Sequence, residues 1–341
     1  MENISVATSK VASGLVGFKR LGFVIVFVFV LLGASGSNLT AQNCETGSVL
    51  LAPAATQVDN SGSWLVRGQG SEVELILEDQ GSWATYQTLD LGGETLHSLD
   101  LDGTLLAIGL GHEVRVYSFD GANWIEEFAY GPADPLTGFG HSVALSGNHL
   151  AVGDPINNEI TFYTRLFTGG QNASWFTSSV NPGTAGGTLG DELEMVSGYL
   201  AAADRTHNEI RIFVPVGSPS LAWEEDSALS LSNVSGFSLS HAGDDLNLLA
   251  LTETGAQIHQ RAVAGWELQG DLAFTPGPDR FGALSADQAV VSTDCGLRLY
   301  SLLGGVWDSG VELRTFDAAT ACMDLAGGLD DSPRSEEHTS E

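Results

Sequence analysis

Residues 138–155 read Gly138-Phe-Gly-His-Ser-Val-Ala-Leu-Ser-Gly-Asn-His-Leu-Ala-Val-Gly-Asp-Pro155, and Glu159-Ile-Thr-Phe-Tyr163 follows after a polar turn. Hydrophobic residues alternate in three short runs, which are separated by Ser146-Gly-Asn148 and Asp154-Pro-Ile-Asn-Asn158. Alternation with period two indicates strands, and Gly, Asn and Asp between strands indicate tight turns. The segment therefore predicts an antiparallel meander of three strands.

Spaced tryptophans indicate that this meander is one copy of a repeat. They lie 41 to 51 residues apart, each a few residues after an alternating run: Trp83, Trp124, Trp175, Trp223, Trp266 and Trp307. A period of roughly 40 to 50 residues with four strands per unit is typical of propeller blades. The sequence predicts an all-β fold, a β-propeller of four-stranded antiparallel blades, with seven blades of which the last is incomplete.

The repeat also predicts where the strands of each blade lie. In the most regular blade the innermost strand a covers residues 141–146, b covers 149–153, c covers 159–165, and d begins at Trp175. The other a strands are predicted at residues 56–59, 96–101, 192–196, 237–241, 281–286 and 321–326. Residues 47–52 are predicted to close the ring as the outer strand of the last blade, because a closed ring has no unpaired seam.

The two ends of the chain are interpreted separately from the propeller. Lys10, Lys19 and Arg20 precede an apolar run over 21–34 and a polar segment over 35–41, which predicts a signal peptide over residues 1–41. A membrane anchor is the alternative, but the run is shorter than the ~20 residues that span a bilayer.

Residues 334–341 resemble a translated sequencing adapter and are expected to be a non-native tail; an ordinary polar terminus is the alternative. The propeller is assigned to residues 42–333, in an exported protein that is secreted or held at the cell surface.

The net charge limits the classes of molecule that the protein can bind, and the cysteine spacing limits the metal and disulfide sites that it can contain. The chain has 13 Lys plus Arg against 43 Asp plus Glu, a net charge of −30, and Lys10 and Lys19 are its only lysines. Such a balance argues against nucleic acid and anionic membranes as partners. A monomer is expected. The spacing of Cys44, Cys295 and Cys322 matches no zinc or redox motif and leaves one disulfide bridge open.

Part of the central segment resembles a known family. Phe139-Gly140, the run 142–147 and the run 150–155 resemble the FG-GAP repeat of integrin-α-type propellers and of secreted bacterial proteins, although Asp154 replaces the usual Ala before Pro155. The resemblance implies an extracellular propeller, with calcium in some members bound by an Asp-x-Asp-x-Asp-Gly loop. No such run occurs here. The nearest segments, 154–159 and 204–209, are interpreted as turns, so no cofactor and no metal ligand are predicted, with calcium left open.

Other side chains that carry chemistry are scattered along the sequence. The histidines show no metal-ligand spacing and are interpreted as turn or strand residues: His97, His112, His141, His149, His207, His241 and His259. The repeated tryptophans are interpreted as packing between blades. Trp64 lies outside the repeat, and an exposed position is considered for it.

Two functions are compatible with these observations. The favoured hypothesis is a non-catalytic binding or adhesion module for a protein or glycan, with variable loops on a rigid ring. The alternative is a propeller hydrolase or lyase that acts on an extracellular polysaccharide or lactone. The alternative requires three or more ionisable groups at one end of the central channel. No catalytic or ligand-binding residue is assigned from the sequence.

Overall fold

The computed structural model describes residues 57–134, 137–167, 173–217, 222–242, 245–263, 265–274, 282–293 and 296–315. These residues form six antiparallel sheets and contain no helix, so the predicted all-β class is confirmed. Each sheet is a meander in which strands that are consecutive in the chain are also neighbours in the sheet. We call each sheet a blade and its strands a to d in chain order.

The strands of the first three blades have the following bounds. Blade 1 contains β1 (Gln57–Ser61), β2 (Trp64–Gln69), β3 (Glu72–Asp79) and β4 (Ser82–Asp90). Blade 2 contains β5 (Ser98–Asp102), β6 (Leu105–Gly109), β7 (Val114–Phe119) and β8 (Trp124–Tyr130). Blade 3 contains β9 (Ser142–Ser146), β10 (His149–Asp154), β11 (Glu159–Phe167) and β12 (Ala173–Pro182).

The remaining blades follow the same order. Blade 4 contains β13 (Leu193–Val196), β14 (Tyr199–Asp204), β15 (Glu209–Val216) and β16 (Ala222–Ser230). Blade 5 contains β17 (Gly236–Ala242), β18 (Asp245–Thr252), β19 (Gly255–Ala262) and β20 (Gly265–Ala273). Blade 6 contains β21 (Gly282–Leu284), β22 (Gln288–Ser292), β23 (Gly296–Leu303), β24 (Val306–Trp307) and β25 (Val311–Thr315).

The a strands of successive blades lie side by side. Polar side chains of one a strand accept hydrogen bonds from backbone amides of the next. The Leu101 amide donates to Asp59 (2.7 Å), the Leu145 amide to Asp100 (2.7 Å) and the Leu284 amide to the Ser238 hydroxyl (3.2 Å). These bonds satisfy buried amide groups that no neighbouring strand pairs, and they fix the order of the blades about the centre.

Apolar side chains on both faces of the blades form the core. A separate cluster fills each space between consecutive blades from blade 1 to blade 6. The same position of strand b is buried in each blade, by residues Leu65, Leu106, Leu150, Leu200, Leu248 and Ala289. Burial of one such leucine contributes about 2 kcal/mol, so the repeat stabilises itself mainly through contacts between neighbouring blades.

The predicted repeat positions agree with these strands. Each predicted a strand in the described ranges begins within two residues of the observed one, and each repeated tryptophan lies near the start of strand d. Blade 6 differs, because its outer strand is split into β24 and β25. Between them, Asp308 accepts hydrogen bonds from the amides of Ser301 (3.0 Å) and Gly310 (2.9 Å), and Gly310 has φ +74°.

One expectation is wrong and several fall outside the described residues. Trp64 is not exposed: only 8% of it is accessible, because it begins strand β2 and packs against blade 2. The signal peptide over 1–41, the closing strand over 47–52, the a strand over 321–326, the tail over 334–341 and the cysteines all lie outside the described residues. The number of seven blades stays a prediction. Within the described ranges, no helix is long and apolar enough to cross a membrane.

Candidate functional site

Three side chains meet where the a strands of blades 2, 3 and 4 begin. His97 and His141 stand directly before β5 and β9, and Asp191 stands two residues before β13. The ring centroids of His97 and His141 are 5.8 Å apart, and His141 Nε2 lies 3.3 Å from Asp191 Oδ1. Because the a strands are neighbours, residues about 45 positions apart in the sequence form one contiguous row.

Arg205 completes this row from the turn between β14 and β15. Its Nε donates to Asp191 Oδ2 (2.6 Å), its Nη2 donates to Glu192, and its Nη1 donates to the carbonyl oxygen of Val234 (2.8 Å). The guanidinium therefore joins the start of blade 4 to the loop before blade 5. We call His97, His141, Asp191 and Arg205 the upper cluster. The upper face is the side of the propeller that carries it, together with the turns between strands b and c.

The charges of the upper cluster follow from these contacts. The hydrogen bond from His141 lowers the pKa of Asp191 to about 2, against the effect of burial and with a further contribution from Arg205. Burial lowers the pKa of His97, and the nearby His141 and His112 lower it further. At neutral pH Asp191 is therefore ionised and His97 is neutral. His97 is also exposed, so a neutral imidazole faces solvent at the end of a fixed chain of polar groups.

Two residues of blade 2 lie near the His97 ring. Gly111 has φ +80°, and a Cβ at this position would lie 2.7 Å from His97 Nε2, so a larger residue would strain the backbone and displace the ring. Next to it, His112 Nε2 lies 3.7 Å from Glu94 Oε2. His97, His112 and His141 are thus gathered on the upper face, although the sequence interpretation treated them as scattered.

The remaining histidines do not join the upper cluster. His149 packs edge-on against Trp223, and burial lowers its pKa. Burial also lowers the pKa of His259, which lies in β19. His207 Nδ1 contacts Asp204 Oδ2 (2.9 Å), and His241 packs against Tyr199 near the opposite ends of the a strands. For these four residues the predicted structural roles agree with their surroundings.

The two segments considered for calcium form capped turns. Asp154 Oδ1 accepts hydrogen bonds from the amides of Gly138 (2.9 Å) and Asn157 (3.1 Å). Asp204 Oδ1 accepts from the amide of Thr188 (3.2 Å). The left-handed conformation of Asn158 (φ +58°) and Asn208 (φ +55°) explains the asparagines at this position. Neither segment alternates oxygen ligands as a calcium loop does.

Close backbone contacts explain the glycines of the FG-GAP-like segment. A Cβ on Gly153 would lie 2.1 Å from the carbonyl oxygen of Gly190, and a Cβ on Gly109 would lie 2.1 Å from that of Gly140. Strand b of one blade therefore contacts the loop that precedes strand a of the next. These contacts hold His141 and Asp191 at their positions in the row.

A second polar contact between blades was missed from the sequence. In five blades the residue three positions after the repeated tryptophan is the extra residue of a β-bulge between strands c and d. In blade 2 this residue is Glu127, which accepts hydrogen bonds from Arg165 Nε (2.7 Å) and Trp175 Nε1 (2.8 Å) of blade 3. Burial alone would raise the pKa of Glu127, but the hydrogen bond with Arg165 outweighs this effect and lowers the pKa. Asp226 of blade 4 binds Arg261 of blade 5 in the same way.

The comparisons with known proteins concern the fold. A candidate 6-phosphogluconolactonase from Bacteroides fragilis has a TM-score of 0.55 at 11% identity, with 74% of this chain and 82% of that chain covered. A second one, from Bacteroides uniformis, has a TM-score of 0.56 at 10% identity, with coverages of 77% and 90%. A protein of unknown function from Desulfotomaculum acetoxidans has a TM-score of 0.54 at 14% identity, with coverages of 73% and 82%.

The chain is a β-propeller. At these identities the solved structures support its fold alone. No protein-family model and no curated protein matches the chain, so the FG-GAP resemblance stays a prediction that rests on residues 139–155. Among the described side chains, no group of three or more His, Cys, Asp and Glu residues is arranged to hold a metal ion.

Proposed function

We propose that this propeller is an exported hydrolase of the FG-GAP-like type that acts on a lactone or a related ester at the upper cluster. The observation that supports this function is the row Arg205, Asp191, His141 and His97. It ends in an exposed imidazole that is neutral at neutral pH. A general base needs a neutral, accessible acceptor whose pKa is not far from the working pH. His97 is accessible and neutral at neutral pH, and Asp191 and Arg205 fix the position of its neighbour His141.

In this reaction His97 takes a proton from water while the water oxygen attacks the carbonyl carbon of the substrate. The ring C–O bond then breaks, and the imidazolium returns the proton to the leaving alkoxide, so the product is a hydroxy acid. His141 is a positioning residue, because Asp191 accepts a hydrogen bond from its Nε2 and thereby fixes the orientation of its ring. Arg205 keeps Asp191 ionised and in place.

The charge of Asp191, the carboxylate of the upper cluster, favours an ester over a glycosidic bond. Glycoside hydrolysis commonly uses two carboxyl groups, one of which stays protonated near neutral pH to protonate the leaving group. With a pKa of about 2, Asp191 cannot be that acid. Hydrolysis of a polysaccharide therefore fits the upper cluster less well than cleavage of a lactone.

A substitution of the proposed base tests this function. With glucono-δ-lactone as substrate and acid release as the readout, we expect His97→Gln to lower kcat/KM by at least ~100-fold, as loss of a general base does. The matched control is His241→Gln, at the opposite end of an a strand, which should leave kcat/KM within about twofold of the unmodified protein. Equal rates for His97→Gln and the unmodified protein, above the rate in buffer, would contradict the proposal.

A binding or adhesion role is a second candidate function. Successive blades 1, 2 and 3 each present an exposed aromatic side chain on strand d, namely Tyr86 (42%), Tyr130 (46%) and Phe176 (44%). Aromatic side chains on a rigid surface are common anchors for protein and glycan ligands. A glycan array read with the unmodified protein and with Phe176→Ala tests this role: a bound glycan whose signal falls in the variant would support it.

Export is proposed from the sequence of residues 1–41. Expression of the chain in a bacterial host, followed by mass spectrometry of the medium or periplasm, should detect a protein that begins after Ala41. A protein that retains Met1 and stays in the cytoplasm would contradict export.

A further inference from the structure

We infer that the upper cluster selects substrates without negative charge, so that a neutral lactone is hydrolysed faster than its phosphorylated or carboxylated analogue. This inference rests on the proposed hydrolase function and adds the charge class of its substrate. It is carried by the side chains that surround His97 on the upper face, and by the way in which the nearby arginines are bound.

Carboxylates are concentrated around the upper cluster. On the upper face they lie in the loops before strands a and at the ends of strands b and c that border the turns between them: Glu94, Asp154, Glu159, Asp191, Glu192 and Asp204. Burial raises the pKa of Glu159, and the charge of Asp154 raises it further, which shows that negative charges on this face already repel one another. An incoming anion would meet the same repulsion.

The arginines of this face that the structure describes are bound to other groups. All three donor nitrogens of Arg205 have acceptors, namely Asp191, Glu192 and the Val234 carbonyl. Arg211 is buried and forms ion pairs with Glu209 and Glu225 (3.4 Å each), and Arg115 forms an ion pair with Glu113. A site that recognises phosphate or carboxylate needs a cation or several N–H donors that are free to bind it. His97 is neutral and supplies no such charge.

The whole chain adds to this local field. Its net charge of −30 produces a negative potential around the propeller, which slows the approach of anions and is screened by salt. Selection by charge should therefore weaken as ionic strength rises. Selection by the shape of the site would not change.

The test compares two lactones that differ in charge. Initial rates are measured with glucono-δ-lactone and with 6-phosphoglucono-δ-lactone at low salt and at 0.5 M salt, with rates in buffer subtracted. We expect kcat/KM at low salt to be at least ~10-fold higher for the neutral lactone, with the ratio falling at high salt because the repulsion is screened. Equal or faster hydrolysis of the phosphorylated lactone would overturn the inference but leave the hydrolase function standing. Hydrolysis of neither lactone would contradict the hydrolase function itself.

A single substitution assigns the selection to this face. Glu94→Gln removes one carboxylate near His112 and should raise kcat/KM for the phosphorylated lactone by about two- to threefold at low salt, with little change for the neutral one. Glu224→Gln, on the exposed outer strand β16, is the matched control and should change neither. An unchanged ratio between the two lactones in Glu94→Gln would contradict the assignment to the upper face.

Discussion

Two contacts between blades differ in their chemistry. One lies between blades 1 and 2 at the lower end of the propeller, opposite the upper face. The other lies between blades 2, 3 and 4 at the upper end. At the lower end, Trp64 packs edge-on against Tyr86 (5.1 Å), Phe119 (5.0 Å) and Trp124 (5.2 Å between ring centroids). At the upper end, two imidazoles, a carboxylate and a guanidinium meet where the a strands begin.

This difference indicates what each end contributes. Aromatic contacts add burial and favourable ring geometry without a desolvation cost for charges. A row of partly buried charges contributes less net stability, because each group loses part of its hydration. Such groups are retained where chemistry requires them, and perturbed pKa values commonly mark functional sites. The lower end therefore holds the blades together, and the upper end is where we place the reaction.

Removal of the central ring at the lower end should give the largest change in stability. We expect Trp64→Ala to lower the free energy of unfolding by about 3–5 kcal/mol, because it leaves a cavity among three rings. Urea denaturation followed by circular dichroism measures this loss. His97→Gln at the upper end should change stability by less than about 0.5 kcal/mol, as exposed positions do. Equal losses in the two variants would remove the distinction between the two ends.

Loss of the contact that the β-bulge residue Glu127 makes between blades 2 and 3 should give the second-largest change in stability. Glu127→Gln leaves Arg165 without its carboxylate and should cost about 2 kcal/mol, since both side chains are mostly buried. Glu224→Gln in β16 is the exposed control and should cost less than about 0.5 kcal/mol. If thermal melts of the two variants coincide, the contact of Glu127 contributes nothing to the stability of the propeller.

Asp191→Asn should lower stability less than Trp64→Ala or Glu127→Gln does, and its effect should depend on pH. The pKa of Asp191 in the folded protein is about 2, below its ordinary value of 3.8, so the ionised carboxylate stabilises the fold. This contribution is complete above about pH 4 and is lost as the pH falls towards 2. Partial exposure reduces it, and we expect about 1–2 kcal/mol at pH 7. Urea titrations at pH 7 and pH 3 check this, and a difference between the proteins that is the same at both values would contradict the predicted role of the charge.

The blades could be predicted from the sequence because their signals are local. Alternation in the run 142–146 and the spacing of Trp175 and Trp223 fix strands within two or three residues, since period-two patterning and one tryptophan per blade are properties of each repeat alone. Trp64 was placed wrongly because its burial depends on rings of the next blade. The missing information was a contact between repeats.

The upper cluster was missed for the same reason. His97 and His141 are unremarkable in a list of histidines, yet both stand directly before an a strand, at the same position of consecutive repeats. An alignment of the blades by their a strands would have placed them next to each other. Arg205 carries no such signal, because it reaches the row from a turn between strands b and c.

The most direct test of the central claim is the pH dependence of kcat/KM for glucono-δ-lactone, with the rates of His97→Gln subtracted. A neutral His97 is the active form, so kcat/KM should rise with pH through a single ionisation and then stay level through pH 7 and 8. Because burial and the neighbouring histidines lower the pKa of His97, the midpoint should lie below 6.5. A kcat/KM that falls as pH rises, or a midpoint above pH 6.5, would contradict the assignment of His97 as the general base.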